Sequence, residues 1–319
     1  MRVVITGSSG RLGRSVATGL VGLGHRVLGV DRATAGLAGV DERVLDLADP
    51  RAAAALLAET RPDAVVHLAG IAVPFSAPER VILATNTTLA HTVLEAAAQA
   101  DVARVLVASS PTVIGYGATG WHPTALPIDE THPVAPANAY ALSKVVVEEL
   151  VRLFARTLPG AWGAFRPCYV ISPEEWAGEP TQQGHTVAQR LADPALAAVS
   201  LFNYLDADDA AAFVDAWLRA PADAVNGEVF FVGASDALAD RPIAELWRET
   251  APQLGEAADA LTGTAPVFSA AKAERVLGWR PARHWRTALR PPEASGALSP
   301  DFSPDPAPSP LPDREPSSR

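Results

Sequence analysis

Thr6-Gly7-Ser8-Ser9-Gly10-Arg11-Leu12-Gly13 follows a short apolar run at residues 3–5 and leads into a helical pattern, and its reading decides the fold. Glycine at 7, 10 and 13 permits positive φ and lets backbone N–H groups approach a bound group closely. A strand, a glycine turn and a helix in that order open a βαβ unit, where a pyrophosphate rests on the positive end of the helix. The segment reads as a dinucleotide-binding turn supplied by Gly7, Ser9, Gly10, Arg11, Leu12 and Gly13. A purely structural strand-to-helix turn is the alternative.

Outward from this turn, residues 26–30, 64–68 and 104–108 are further Val/Leu/Ile-rich runs separated by Ala-rich helical stretches. That alternation builds a parallel sheet covered on both faces. The expected fold is α/β, a Rossmann-type doubly wound parallel sheet with a small C-terminal substrate lobe. Residues 138–158 predict a helix, because Val146, Leu150, Leu153 and Phe154 recur at helical spacing. Residues 202–205 predict another strand and 208–218 a helix. The domain reading gives 1–172 to the dinucleotide-binding domain, with 201–221 returning to it, and gives 173–200 and 222–290 to the substrate lobe. Residues 291–319 contain nine Pro and six Ser among 29. They carry too little apolar surface to offset ordering entropy and are expected to be a disordered tail.

Asp31 ends the second strand, where a carboxylate accepts hydrogen bonds from an adenosine ribose and repels a 2′-phosphate. NAD is therefore the expected cofactor. Arg32 follows directly, and with Arg11 and Arg14 it keeps NADP open. Asp46 and Leu47, after a third short strand, would lie against the adenine; an Asp capping the helix after Pro50 is the competing reading of Asp46. His67-Leu68-Ala69-Gly70 ends the fourth strand, where the small Ala69-Gly70 pair beside Leu68 lets a dinucleotide come close. His67 itself reads as a packed histidine before it reads as a catalytic one.

Tyr140-Ala141-Leu142-Ser143-Lys144 places a phenol and an ammonium one helical turn apart on one face. A nearby cation stabilises phenolate, so such a tyrosine can exchange a proton with a substrate hydroxyl while hydride moves. The chain has four Tyr and two Lys, so the chance expectation for this spacing is only roughly 0.03. A surface lysine lying past a core tyrosine is the bland alternative. Upstream, residues 105–108 run into Ser109-Ser110-Pro111-Thr112, where a serine can bond the reacting oxygen or merely form the turn.

The order TGxxGxxG, Asp31, Asp46-Leu47, HLAG, Ser-Ser before a glycine turn, and YxxxK resembles the extended short-chain dehydrogenase/reductase family over about residues 1–290. Gly115 matches the glycine closing that family's Ser-x-x-Val-Tyr-Gly turn, and counting back puts the catalytic hydroxyl on Ser110. The resemblance implies a Ser110/Tyr140/Lys144 triad, with Lys144 also holding the nicotinamide ribose. It further implies cofactor contacts at Asn86, expected to open a helix, and at Pro167. Leu277-Gly278-Trp279-Arg280-Pro281 with Trp285-Arg286 is similar to nucleotide-sugar epimerases and related sugar dehydrogenases. Two positions depart from the pattern. Tyr169 replaces an Asn that commonly helps hold a nucleotide sugar, and Pro111-Thr112 stands where the otherwise similar uronate dehydrogenases carry Asn-His. Ser109, Thr112, Tyr169, His185 and Arg190, with Gln182 and Gln183, are the candidate substrate residues; a solvated loop is the alternative for the 182–190 set.

Composition agrees with a small-molecule enzyme. A formal charge of −10 and a pI near 5.2 oppose a nucleic-acid or anionic-membrane partner. Cys168 is the only cysteine, which excludes an internal disulfide and a cysteine metal cluster, and no metal site is expected. The first residues read as a strand and not as a signal peptide. No apolar run is long enough for a membrane span. The expected protein is a cytoplasmic homodimer acting on a sugar-like substrate. Three functions remain open: an NAD-dependent oxidoreductase working at a secondary carbinol or keto carbon of a sugar, sugar acid or sugar nucleotide; a nucleotide-sugar 4-epimerase with tightly bound NAD; and a non-catalytic dinucleotide-sensing regulator.

Overall fold

The computed structural model describes residues 1–289. The disorder expected for 291–319 thus lies outside the described residues. The chain runs through β1 (Arg2–Thr6), α1 (Arg11–Gly22), β2 (Arg26–Asp31), β3 (Asp41–Val44), α2 (Pro50–Thr60), β4 (Ala64–His67), α3 (Glu79–Gln99), β5 (Arg104–Ala108), α4 (Ala139–Thr157) and β6 (Ala161–Pro167). Short elements follow: β7 (Val170–Ile171), α5 (Pro173–Trp176), α6 (Val187–Ala192), α7 (Pro194–Ala198), β8 (Leu205–Asp206), then α8 (Ala207–Arg219) and β9 (Val229–Val232).

Seven parallel strands lie in the order β3-β2-β1-β4-β5-β6-β9. This is the Rossmann-type doubly wound sheet. Consecutive strand residues serve opposite faces. Val3, Ile5, Val66, Leu106 and Phe165 belong to the core under α1 and α8. Val4, Val65, Val105 and Val107 join the core under α2, α3 and α4. Burial on both faces explains why these strands read as unbroken aliphatic runs, each fully buried side chain contributing about 1.5–3 kcal/mol. The order reverses between β1 and β4, so the carboxyl ends of these two strands diverge and leave a crevice for a ligand.

The helix expected over 138–158 is α4, opened by Asn138, whose side chain accepts from the Ala141 N–H at 2.8 Å. Asn86 does not open a helix: α3 begins at Glu79, directly after Pro78, and Asn86 lies two turns inside it. The strand expected over 202–205 is shorter and displaced. Leu201 and Phe202 have φ of 50° and 60°, left-handed values that break strand geometry, so β8 is confined to Leu205–Asp206 and pairs only with β7 in a two-stranded sheet. The stretch 222–290, expected in the substrate lobe, gives up Val229–Val232 to the edge of the main sheet, where β9 pairs with β6. An apolar run of four buried residues carries no periodicity that could separate lobe from sheet.

Candidate active site

A cleft of about 1420 Å³ runs along the carboxyl ends of the strands. At one end lies the glycine turn. Gly7 has φ of 73°, and a Cβ there would stand 2.6 Å from the Ala69 nitrogen; a Cβ on Gly13 would stand 2.0 Å from the Gly7 oxygen. Only glycine lets the turn fold against the β4 loop and still present its backbone. Gly10 is the N-cap of α1 and offers no side-chain cap, so the first N–H groups of that helix are left for a ligand. Asp31 sits beyond the turn with Oδ2 accepting from the Ser9 N–H at 3.0 Å and Oδ1 from the Arg32 N–H at 2.7 Å. The carboxylate is thereby fixed at the end of β2. This donor-rich turn with a fixed acceptor behind it fits a dinucleotide: diphosphate on the α1 N–H groups, ribose diol on Asp31.

Gly7, Gly10, Arg11, Leu12, Gly13, Asp31, Arg32, Asp46, Leu47, Leu68, Ala69, Gly70 and Pro167 all line the cleft. Ser9 is tied to it through Asp31. Asp46 Oδ1 accepts from the Ala48 N–H, and the cap of α2 is Asp49, so capping does not occupy Asp46. Asn86 stands behind the wall. It accepts from the Ile71 N–H at 2.7 Å and donates to the Ile71 oxygen and to Ser143 Oγ, which pins the loop after Gly70 to α3 and α4.

At the centre of the cleft the ends of β5 and α4 bring Ser110, Tyr140 and Lys144 together on its wall. Lys144 Nζ donates to the Ala108 oxygen at 2.9 Å and lies 5.8 Å from the Tyr140 ring centroid. Burial lowers Lys144 to about 8, with Glu148 one turn on pulling it back up. Burial raises Tyr140, and the nearby Ser110 hydroxyl pulls it down. Ser110 Oγ accepts from the Thr112 hydroxyl at 2.9 Å and caps the short 3₁₀ turn Pro111–Ile114. Ser109 has its backbone on the same wall, but its hydroxyl is turned to Glu148 at 2.6 Å. His67 is a packed residue bonded to Thr6 Oγ1 at 2.7 Å, and burial lowers it to about 3.

The far end of the cleft is lined by Thr112, Tyr116, Tyr169, Gln182, Gln183, Ser200 and Asn203. Arg190 and His185 stand behind it: Arg190 Nη1 donates to Gln183 Oε1 at 2.6 Å and lies 3.2 Å from His185 Nε2. Among the described residues no His/Cys/Asp/Glu cluster suits a metal, and no helix is long and apolar enough to cross a membrane. Sequence reasoning missed Glu148 and Arg166, a fully buried pair under the centre of the site. The available signal was position: Glu148 falls one turn after Lys144 on the same face. It also missed Tyr116 and Ser200, which no spacing singles out.

A family model described as the NAD dependent epimerase/dehydratase family matches residues 3–233. A UDP-glucose 4-epimerase of Mycolicibacterium smegmatis is 30% identical over 250 residues, covering 73% of this chain and 77% of that protein. UDP-glucose 4-epimerase 2 of Arabidopsis thaliana is 29% identical over 167 residues, 47% of this chain and 46% of its own length, so the chain matches just under half of that relative. A solved short-chain dehydrogenase/reductase superfamily protein from Agrobacterium tumefaciens with bound NAD superposes with a TM-score of 0.68 at 24% identity, covering 91% of this chain and 95% of that one. That likeness speaks to the fold. Together with the glycine turn, Asp31 and the Tyr140/Lys144 pair, the family match over most of the described chain establishes that this protein belongs to the NAD dependent epimerase/dehydratase family, with NAD as its cofactor.

Proposed function

We propose that this chain is an NAD-dependent oxidoreductase that moves hydride at a secondary carbinol or keto carbon of a sugar-like substrate. The observation that carries the reading is the convergence of Ser110, Tyr140 and Lys144 on one cleft wall, beside the turn that fits the dinucleotide. Bound NAD supplies the hydride acceptor. The chain supplies the proton chemistry. The Ser110 hydroxyl bonds the substrate oxygen, and Tyr140 as phenolate accepts the carbinol proton while the carbon loses hydride. The Lys144 ammonium stabilises that phenolate, and the Ser110 hydroxyl opposes the rise caused by burial. In the reverse direction Tyr140 returns the proton to the carbonyl oxygen.

A second reading, a nucleotide-sugar 4-epimerase with retained NAD, uses the same three residues and draws support from the UDP-glucose 4-epimerase relatives. It differs in returning the hydride to the same sugar. Absorbance at the reduced nicotinamide band tests both: accumulating NADH with a carbinol substrate supports the oxidoreductase, and isomerised product without NADH supports the epimerase. A non-catalytic dinucleotide sensor is the weakest reading, because it has no use for an intact Ser110/Tyr140/Lys144 set. We place the protein in the cytoplasm as a homodimer pairing through α4. Its Leu142 and Leu153, both exposed, lie eleven residues apart on one stripe of that helix.

A further inference from the structure

Arg190 is fully buried, and the side chains that hold it are those of Gln183, His185, Ser200 and Tyr169. Its Nη1 donates to Gln183 Oε1 at 2.6 Å and lies 3.2 Å from His185 Nε2; its Nη2 donates to Ser200 Oγ at 2.9 Å. The Tyr169 ring covers the guanidinium carbon at 4.0 Å. Nε is buried with no partner. Among the described residues no carboxylate pairs with Arg190, although a guanidinium out of water without a counter-ion is costly.

The wall in front of Arg190 is equally one-sided. Tyr169 lines the cleft, while its hydroxyl is buried beside Arg190 and closed to the cleft. Gln183 also lines the cleft. Its Oε1 is held back by Arg190, so the two amide N–H groups are left for the cleft. The Gln183 amide is thus the donor on this wall, with a cation one layer behind it.

From this arrangement we propose that the far end of the cleft is a carboxylate subsite, in which the Gln183 amide holds the carboxylate of a sugar acid and Arg190 is its buried counter-charge. The proposal rests on the oxidoreductase reading and narrows its substrate class. Charge and placement select a carboxylate over a phosphate. Of the described lysines and arginines, only Arg11, Arg32 and Lys144 line the cleft. The first two flank the dinucleotide turn and the third serves the reacting centre. A sugar phosphate or nucleotide diphosphate would thus meet no direct cation at the far end. A singly charged planar group is matched by a neutral amide donor and one charge behind it. Arg190 acts here as a positioning residue, holding Gln183 and Tyr169 and supplying the field.

The test is calorimetric titration of the NAD-loaded full chain with D-glucuronate and D-galacturonate, against D-glucose, D-galactose, glucose 6-phosphate and UDP-glucose. At least one hexuronate is expected to bind ten-fold or more tightly than its neutral hexose. Gln183→Glu is expected to abolish that preference without lowering the melting temperature, because the new carboxylate pairs with Arg190 inside the protein while repelling the ligand. In turnover the same variant should raise KM for the hexuronate ten-fold or more with a smaller change in kcat. Three results overturn the subsite: equal or absent hexuronate binding, tighter binding of glucose 6-phosphate or UDP-glucose, or an unchanged preference in Gln183→Glu. A hexuronate that binds with the expected preference yet yields no NADH removes the oxidoreductase reading and leaves the subsite standing.

Discussion

The hydroxyl of Ser109 donates to Glu148 Oε1 at 2.6 Å, while the two oxygens of that carboxylate accept from Arg166 at 2.8 Å each. This bond separates the roles of two adjacent serines. Ser109 is committed to a buried ion pair under the sheet end, and Ser110 is left facing Tyr140. Ser110→Ala is therefore expected to lower kcat by about 10²–10³-fold with NAD affinity little changed. Ser109→Ala is expected to cost about 1.5–3 kcal/mol of stability, the worth of a hydrogen bond to a charged group, with kcat within about three-fold of the parent. Steady-state kinetics and denaturant melts on the two variants check the division; the reverse pattern would reassign the reacting hydroxyl to Ser109.

Tyr140→Phe removes one oxygen from a buried ring and leaves the packing around it in place. The expected outcome is a loss of turnover of about 10²–10⁴-fold with NAD binding within a few-fold of wild type. Lys144→Ala should weaken both, since the ammonium serves the phenolate and faces the cleft. Fluorescence titration of NADH beside single-turnover hydride transfer separates the two effects. Near-parental turnover in Tyr140→Phe would sink the proton-transfer scheme.

His67 gives a pH dependence whose sign follows from burial. Burial first, then the Lys144 charge, lowers it to about 3, so the unfolded chain takes up its proton at about 6.5 while the folded chain resists. Stability is thus lost as pH falls from about 6.5 toward about 3, and at about pH 4.5 the cost is on the order of 2–3 kcal/mol. His67→Asn keeps a partner for Thr6 Oγ1 and removes the titration. Between pH 7 and pH 4.5 its melting temperature should fall by less than that of the parent; parallel falls would show that carboxylates alone set the acid limb.

How much of this was legible in the sequence follows the range of the interactions. The glycine turn, Asp31 and Tyr140/Lys144 are local patterns on single elements, where backbone geometry ties spacing to function, and the structure puts each on the cleft wall. The span of α4 followed from an apolar stripe at helical spacing, and its Asn138 cap emerged only in the structure. Glu148 with Arg166, and Arg190 with Gln183 and Ser200, depend on contacts between separate elements, which no spacing encodes. The β8 and β9 assignments went astray for a different reason. Phe202–Leu205 and Val229–Val232 are both short apolar runs, and only the left-handed backbone at 201–202 keeps the first from pairing as read.

Asp31→Ala is expected to relax cofactor choice. The side chain is held by two backbone N–H groups at the end of β2, where it would accept from the ribose diol and repel a 2′-phosphate, with Arg32 beside it to meet that phosphate once the carboxylate is gone. The ratio of kcat/KM for NAD over NADP should fall by about ten-fold or more, mostly through a higher KM for NAD. A parent enzyme that already prefers NADP would remove this role from Asp31.

The enzyme should not eliminate water from its substrate or invert a flanking carbon through an enolate. Both reactions need an acid or base beyond the hydride-transfer set, placed near a carbon next to the oxidised centre. Pro111 and Thr112 follow Ser110, and neither titrates near neutral pH; Thr112 Oγ1 is also spent on Ser110. Cys168 lines the cleft, but burial pushes its thiol up, which keeps it protonated. His185 stands behind the wall with Nε2 facing Arg190 Nη1 at 3.2 Å, so its lone pair is occupied by the guanidinium. That cation and partial burial both hold it neutral, burial the more strongly. Running the reaction in D₂O and examining the product by NMR tests the point. Retention of every carbon-bound hydrogen on the carbons flanking the carbinol is the expected result. Deuterium there would show enolisation and would require His185 to leave Arg190, which a parallel run with His185→Ala would reveal by abolishing the exchange.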